Sequence, residues 1–251
     1  MNDTLFAFLL TLLAGLATGI GGAIALFAKR ENRKFLSVCL SLSAGVMLYV
    51  SFVEIFAKAD ESLGYGLGES RGYLITTVAF FAGIALIALI DKCIPHHDHG
   101  EEKSLQRMGM TSALAIAIHN FPEGLVTFMA ALQDPAMGVA IAVAIAIHNI
   151  PEGIAIAAPI YYATGSKKKA LLYSIGSGLT EPMGALAAYF LLAQVLSDSV
   201  FGIAFAAVGG MMVYISIHQL LPVAESYGNR RLVTCGVFAG MAVMALSLVL
   251  L

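Results

Sequence analysis

The chain has 251 residues, 59% of them hydrophobic and 12% charged, with a mean hydropathy of +0.86. No water-soluble domain carries that balance, whereas a polytopic membrane protein requires it. The 14 basic and 16 acidic residues give no reason to expect a nucleic-acid partner, and the scattered Cys39, Cys93 and Cys235 form neither a metal-spaced pair nor a disulfide framework.

A helix needs about 20 apolar residues to cross a bilayer, and on that measure the chain divides into eight spans: 4–28, 35–57, 73–92, 109–132, 136–160, 169–194, 200–224 and 230–251. Almost nothing is left for a soluble domain, so residues 1–251 are expected to form a single transmembrane domain. The first stretch lacks a basic leader and a small-residue cleavage site and is expected to stay as a span. Lys and Arg mark cytoplasmic loops. The first, third, fifth and seventh loops hold all the basic residues except Lys58 and Arg71, which predicts a cell inner membrane protein with both termini outside the cytoplasm.

In the first span Gly15, Gly19, Gly21 and Gly22 supply the small residues that let membrane helices approach closely. The second holds Met47 and Glu54, seven apart on one helix face, a soft sulfur and a hard oxygen donor. Met in an apolar helix is usually packing. Glu54 lies near the outer end of its span, within reach of water. The third loop carries His96, His97, Asp98, His99, Glu101 and Glu102, a tract equally suited to loose metal binding and to plain solvation.

The fourth and fifth spans carry two copies of one hexapeptide, His119-Asn120-Phe121-Pro122-Glu123-Gly124 and His148-Asn149-Ile150-Pro151-Glu152-Gly153. His and Glu four apart share a helix face, and Asn stands on the neighbouring one, so each Glu lies between two donors. Each Pro removes its N–H and crowds the carbonyl one turn back, which predicts kinked helices with the Ile118 and Ile147 carbonyls freed. The short loop around Gln133-Asp134-Pro135 makes the two spans antiparallel neighbours, with both motifs at similar depth.

The sixth span adds Glu181 beside Pro182, expected to bend that helix and free the Gly178 carbonyl, and the seventh ends in His218, Gln219, Pro222 and Glu225. His218, near a helix end, reads as locally satisfied or as an accessory site. The eighth span has no candidate chemistry.

An ionisable group at bilayer depth costs roughly 2.5–3.5 kcal/mol or more unless neutralised. A pair of hydrogen-bonded core histidines would leave Glu123, Glu152 and Glu181 at that depth with no Lys or Arg to pair them. A divalent cation removes the deficit, because Glu and Asn oxygen suit harder ions while His nitrogen suits zinc and iron. Glu123 and Glu152 could then bridge two ions, with Glu181 joining the Asn side. Secondary transport of such an ion is the leading reading, since no nucleotide-binding motif is present. An intramembrane zinc hydrolase is the alternative, although there is no His-Glu-x-x-His and each carboxylate at depth already has a ligand role. A scaffold indifferent to ions leaves those carboxylates unexplained.

The doubled H-N-x-P-E-G, the E-P of the next span, the eight spans and the His-bearing third loop resemble the ZIP family of divalent-metal transporters, in its bacterial zinc-uptake branch, over the whole chain. The resemblance implies an all-α polytopic membrane fold in a 3+2+3 arrangement, spans 1–3 and 6–8 being inverted repeats around the motif pair. It implies a binuclear site: His119, Glu123, His148 and Glu152 as a zinc-type position, completed in some members by the methionine matching Met47. Asn120, Glu123, Asn149, Glu152 and Glu181 form the second, iron-associated position. It further implies no enzyme activity and no prosthetic group, Zn2+ and Fe2+ as transported substrates, and a homodimer. Where many members carry H-E-x-x-P-E in the seventh span, this chain has His218-Gln219-Leu220-Leu221-Pro222-Val223 and lacks both carboxylates.

Overall fold

The computed structural model describes residues 3–27, 32–93, 100–192 and 198–250. They form eight helical rods with no strand among the described residues. We number them α1 (Asp3–Ala25), α2 (Arg33–Leu67), α3 (Glu69–Cys93), α4 (Gly100–Gln133), α5 (Pro135–Thr164), α6 (167–192), α7 (198–227) and α8 (Arg230–Leu250). The expected spans fall on these rods and the turn after α1, except that their residues 28, 193, 194 and 251 lie outside the described residues; α2 and α4 extend well beyond theirs. Seven rods are long and apolar enough to cross a membrane. The exception, α6, is broken at Leu179 into Lys167–Gly178 and Thr180–Ala187 before it continues. Pro182 lies just past that break and cannot donate to the Gly178 carbonyl, as the sequence predicts. Pro122 and Pro151 behave otherwise. Helix runs unbroken through both, so the predicted kinks do not appear as interruptions.

The surface of the bundle is apolar, with Leu13, Phe81, Phe190 and Val249 all more than 60% exposed, as a lipid-facing surface must be. Inside, small residues replace the large side chains of a soluble core. A Cβ on Gly21 would strike the Ile150 carbonyl of α5, and one on Gly153 the Thr18 carbonyl of α1. Serine hydroxyls tie helices together through carbonyls: Ser43 to Pro151 at 2.7 Å, Ser174 to Thr18 at 2.6 Å and Ser37 to Ala224 at 2.7 Å. With lipid as apolar as leucine, such close backbone approach and interhelical hydrogen bonding hold the bundle together.

The glycine contacts sort the rods into two groups. Within the first, α1 packs on α5 through Gly21 and Gly153, and α6 packs on α4 through Gly184 against the Phe121 carbonyl and Gly124 against that of Glu181. Within the second, α2 packs on α8 through Gly45 against the Val237 carbonyl and Gly240 against that of Leu42. The contact of α7 with α3 has the same form, Gly210 meeting the Phe80 carbonyl and Gly83 that of Ala207. These pairs exchange when α1 is swapped for α6, α2 for α7, α3 for α8 and α4 for α5, which is the relation of an inverted repeat. The sequence carries the trace: Gly45, Met47, Tyr49, Ser51 and Ala59 recur as Gly210, Met212, Tyr214, Ser216 and Ala224. Both stretches also widen into a π-helical turn, at Ser51–Ile55 and Ile215–Leu220, and in both a serine hydroxyl bonds the methionine carbonyl four residues back.

Candidate metal centre

The hexapeptides meet in the middle of the first group. His119, Asn120, Glu123, His148, Asn149, Glu152 and Glu181 are all at most 3% exposed. The antiparallel α4 and α5 face their motifs toward each other, with the imidazole centres of His119 and His148 6.3 Å apart. His119 Nε2 lies 3.3 Å from Glu123 Oε1 on its own helix and 3.1 Å from Glu152 Oε1 across the pair, while His148 Nε2 lies 3.0 Å from Glu123 Oε1. Ligand atoms of His119, His148 and Glu152 all fall within 4.8 Å of one another.

Carboxylate oxygens of Glu152 and Glu181 face the asparagines. The Asn120 side-chain oxygen faces two acceptors, the Ile116 carbonyl at 3.0 Å and Glu152 Oε2 at 3.3 Å; with its amide turned over it would donate to both. Its nitrogen points to the Ser177 carbonyl at 3.5 Å. Asn149 repeats this setting, donating to the Ala14 carbonyl at 2.9 Å and to Glu181. Ala14 and Ser177 occupy equivalent places in the repeat, each one residue before the mutually contacting Gly15 and Gly178. The repeat thus gives both asparagines the same orientation, and a cation between the Asn120 oxygen and Glu152 would reconcile their contact.

Six side chains of the cluster hold buried polar atoms without a hydrogen-bond partner: His119 Nδ1 and Nε2, Glu123 Oε2, His148 Nδ1, Asn149 Oδ1, Glu152 Oε1 and Glu181 Oε2. Glu152 Oε1 is near His119 but not in hydrogen-bonding geometry. Buried polar groups are satisfied almost everywhere in folded proteins, so this many orphans in one place fits a site for an ion. The donor set is mixed nitrogen and oxygen, suited to borderline divalent ions.

Met47 is buried on α2, one turn from Ser43, whose hydroxyl reaches Pro151 in the second motif; this puts it on the motif-facing side of its helix. Glu54 lies two turns further on, paired with Lys58 at 2.7 Å. Both line a cavity of about 370 Å³ bounded also by Ala144, one turn before His148. A second cavity, of about 210 Å³, lies at the other end of the repeat and contains His218, Gln219 and Asp91. Asp91 went unremarked in the sequence because it sits at the end of an apolar span. It accepts from Gln219 and Tyr214, each at 3.4 Å, and lies 3.6 Å from His218 Nε2. His218 is thus locally partnered. Glu225 is exposed. His96, His97, Asp98 and His99 lie outside the described residues.

A helical bundle apolar enough for a membrane, with a buried, orphan-rich cluster of His, Asn and Glu, fits the class of metal-ion transporters. Comparison with known proteins gives the family. A family model described as ZIP Zinc transporter matches residues 92–248. The chain is 55% identical to the zinc transporter ZupT of Chlorobium chlorochromatii, over 99% of this chain and 98% of that protein. It is 52% identical to the protein of the same name from Clostridium perfringens, over 100% and 97%, and 52% identical to that from Streptococcus mutans, over 100% and 99%. The chain belongs to the ZIP family, and it is a transporter rather than an enzyme.

Proposed function

We propose that this chain takes up Zn2+, and with it Fe2+, Mn2+ and other borderline divalent ions, across the cell inner membrane into the cytoplasm. Residues 1–251 form one transporter domain, with both termini outside and the basic loops inside, and two copies associate as a homodimer. The cargo sits in two adjoining positions. His119, Glu123, His148 and Glu152 make the first, with Met47 at its edge, and Asn120, Glu123, Asn149, Glu152 and Glu181 make the second. Glu123 and Glu152 serve both, each having one oxygen on the histidine side. The observation that carries this reading is the set of unpartnered atoms at the meeting point of the motifs. The relatives named zinc transporters support zinc as the principal ion.

The chain's residues suit a carrier more than a fixed binding site. His148 Nε2 lies 3.0 Å from Glu123 Oε1 and His119 Nε2 3.1 Å from Glu152 Oε1, so protons taken up by the histidines as an ion leaves would offset part of the carboxylate charge at bilayer depth. Purified protein in liposomes loaded with a zinc-sensitive dye should admit Zn2+ down an imposed gradient without nucleotide. Tight zinc binding with no flux above protein-free liposomes would overturn the proposal.

A further inference from the structure

The inverted repeat aligns Gly15-Leu16-Ala17-Thr18-Gly19-Ile20-Gly21 of α1 with Gly178-Leu179-Thr180-Glu181-Pro182-Met183-Gly184 of α6. Contacts fix the register as well as the sequence does. Gly15 and Gly178 each abut the other's carbonyl, and Gly21 and Gly184 each abut the carbonyl ahead of a motif proline, that of Ile150 or Phe121. Thr18 is therefore the counterpart of Glu181.

Thr18 is also the exception among the helical threonines. Thr11, Thr76, Thr111, Thr127 and Thr164 each donate to the carbonyl four residues back, at 2.7–3.0 Å. The Thr18 hydroxyl is fully buried and has no partner. Its ordinary acceptor, the Ala14 carbonyl, takes a hydrogen bond from Asn149 instead. A side chain on a helix leans back over the turn before it, so the Thr18 hydroxyl shares that turn with the Asn149 amide, whose own oxygen is likewise unpartnered.

We propose that Thr18 supplies a hydroxyl oxygen to the cation on the asparagine side of the centre, the contribution of α1 where α6 contributes Glu181. The inference rests on the metal reading of the cluster. A neutral hydroxyl opposite a carboxylate keeps the site's charge low and adds one hard oxygen, so Thr18 sets preference among ions rather than bulk affinity.

The test is equilibrium binding of labelled Mn2+ and Zn2+ to the purified full-length chain, with uptake kinetics in liposomes alongside. Mn2+ serves as the oxygen-preferring probe. Thr18→Val keeps the shape and removes the hydroxyl; it should weaken Mn2+ binding roughly tenfold, as for a lost partner of a charged group, and raise the KM for Mn2+ uptake with little change in Vmax. Zn2+ binding should change by less than about twofold, since its histidine position is untouched. Thr18→Ser should restore Mn2+ binding. Unchanged Mn2+ binding in Thr18→Val, or equal losses for both ions that serine does not repair, would overturn the role. If Thr18→Val proves unstable, Thr18→Ala is read by the same ratio of ions. Glu152→Ala in the same assays separates the two levels: if it too binds and transports normally, the metal reading itself falls, whereas if it is dead and Thr18→Val is silent, only the role of Thr18 falls.

Discussion

At the scale of single residues, the centre's asymmetry lies in its donors. Glu152 turns one oxygen to His119 and the other to Asn120, so Glu152→Ala removes a ligand from both positions. It also removes a charge from bilayer depth, which lowers the cost of the span. Zinc uptake should vanish while the yield and gel-filtration profile of the protein stay normal. The histidine and asparagine sides should separate by ion: His148→Ala should impair zinc uptake more than iron uptake and Asn149→Ala the reverse, by roughly 1–3 kcal/mol each. Competition uptake with one labelled ion against the other reads this directly, and equal losses would mean one shared position. A ligating histidine must be neutral, and free imidazole takes up its proton near pH 6.5. Zinc uptake should therefore fall as the external pH is lowered toward 5, and less so for Mn2+ on the oxygen side.

Most of these residues were legible in the sequence. His, Asn and Glu stand out at bilayer depth because each is costly there, and the doubled motif gives their spacing. Thr18 and Asp91 did not stand out. A threonine in an apolar helix ordinarily satisfies itself, and only the structure shows the Ala14 carbonyl, its usual acceptor, taken by Asn149; an aspartate at a span end looks solvated until Gln219 and Tyr214 are seen against it.

At the scale of elements, Pro182 coincides with a broken helix, whereas helical structure continues past Pro122 and Pro151. The glycines matter more than the prolines for how rods meet. Gly153→Ala forces a Cβ into the Thr18 carbonyl, whereas Gly176→Ala meets nothing within 4 Å. The first should cost about 1–3 kcal/mol, as overpacking does, and lower the melting temperature in detergent. The second should be neutral or stabilising by about 0.5–1 kcal/mol, since alanine is the better helix former. Equal melting of both variants would show that the α1–α5 approach is looser than its geometry. The π-helical turns were beyond sequence reasoning, since an extra residue in a helical turn leaves the apolar pattern almost unchanged.

At the scale of the whole molecule, eight rods were legible from hydropathy, because the bilayer dictates length, and seven of them are long and apolar enough to cross a membrane. The grouping did not follow, since any face of an apolar helix suits lipid and protein alike. Glycine contacts lie inside the two groups, while the polar links across them include Ser43 to Pro151 and Ser112 to Gln219. Side-chain contacts slide more readily than interlocked backbones. Cysteines at Ser112 and Gln219, joined across the groups in a chain lacking its native cysteines, should arrest uptake until reduced. Cysteines at Gly66 and Ser199, joined inside one group, should leave it running; arrest by both, or by neither, would deny relative movement of the groups.

The inverted repeat also bears on direction. A body built from two halves related by turning one over offers an ion nearly the same journey from either end, so no ratchet resides in its backbone. What distinguishes the two ends is a handful of side chains: Lys58 beside Glu54 in one cavity, Asp91 facing Gln219 and His218 in the other. These can make one doorway stickier than the other, but by microscopic reversibility they cannot choose which way ions flow. The direction of net flow is therefore set by the ion's electrochemical gradient, in which the membrane potential counts twice for a divalent charge, and by any ion coupled to it.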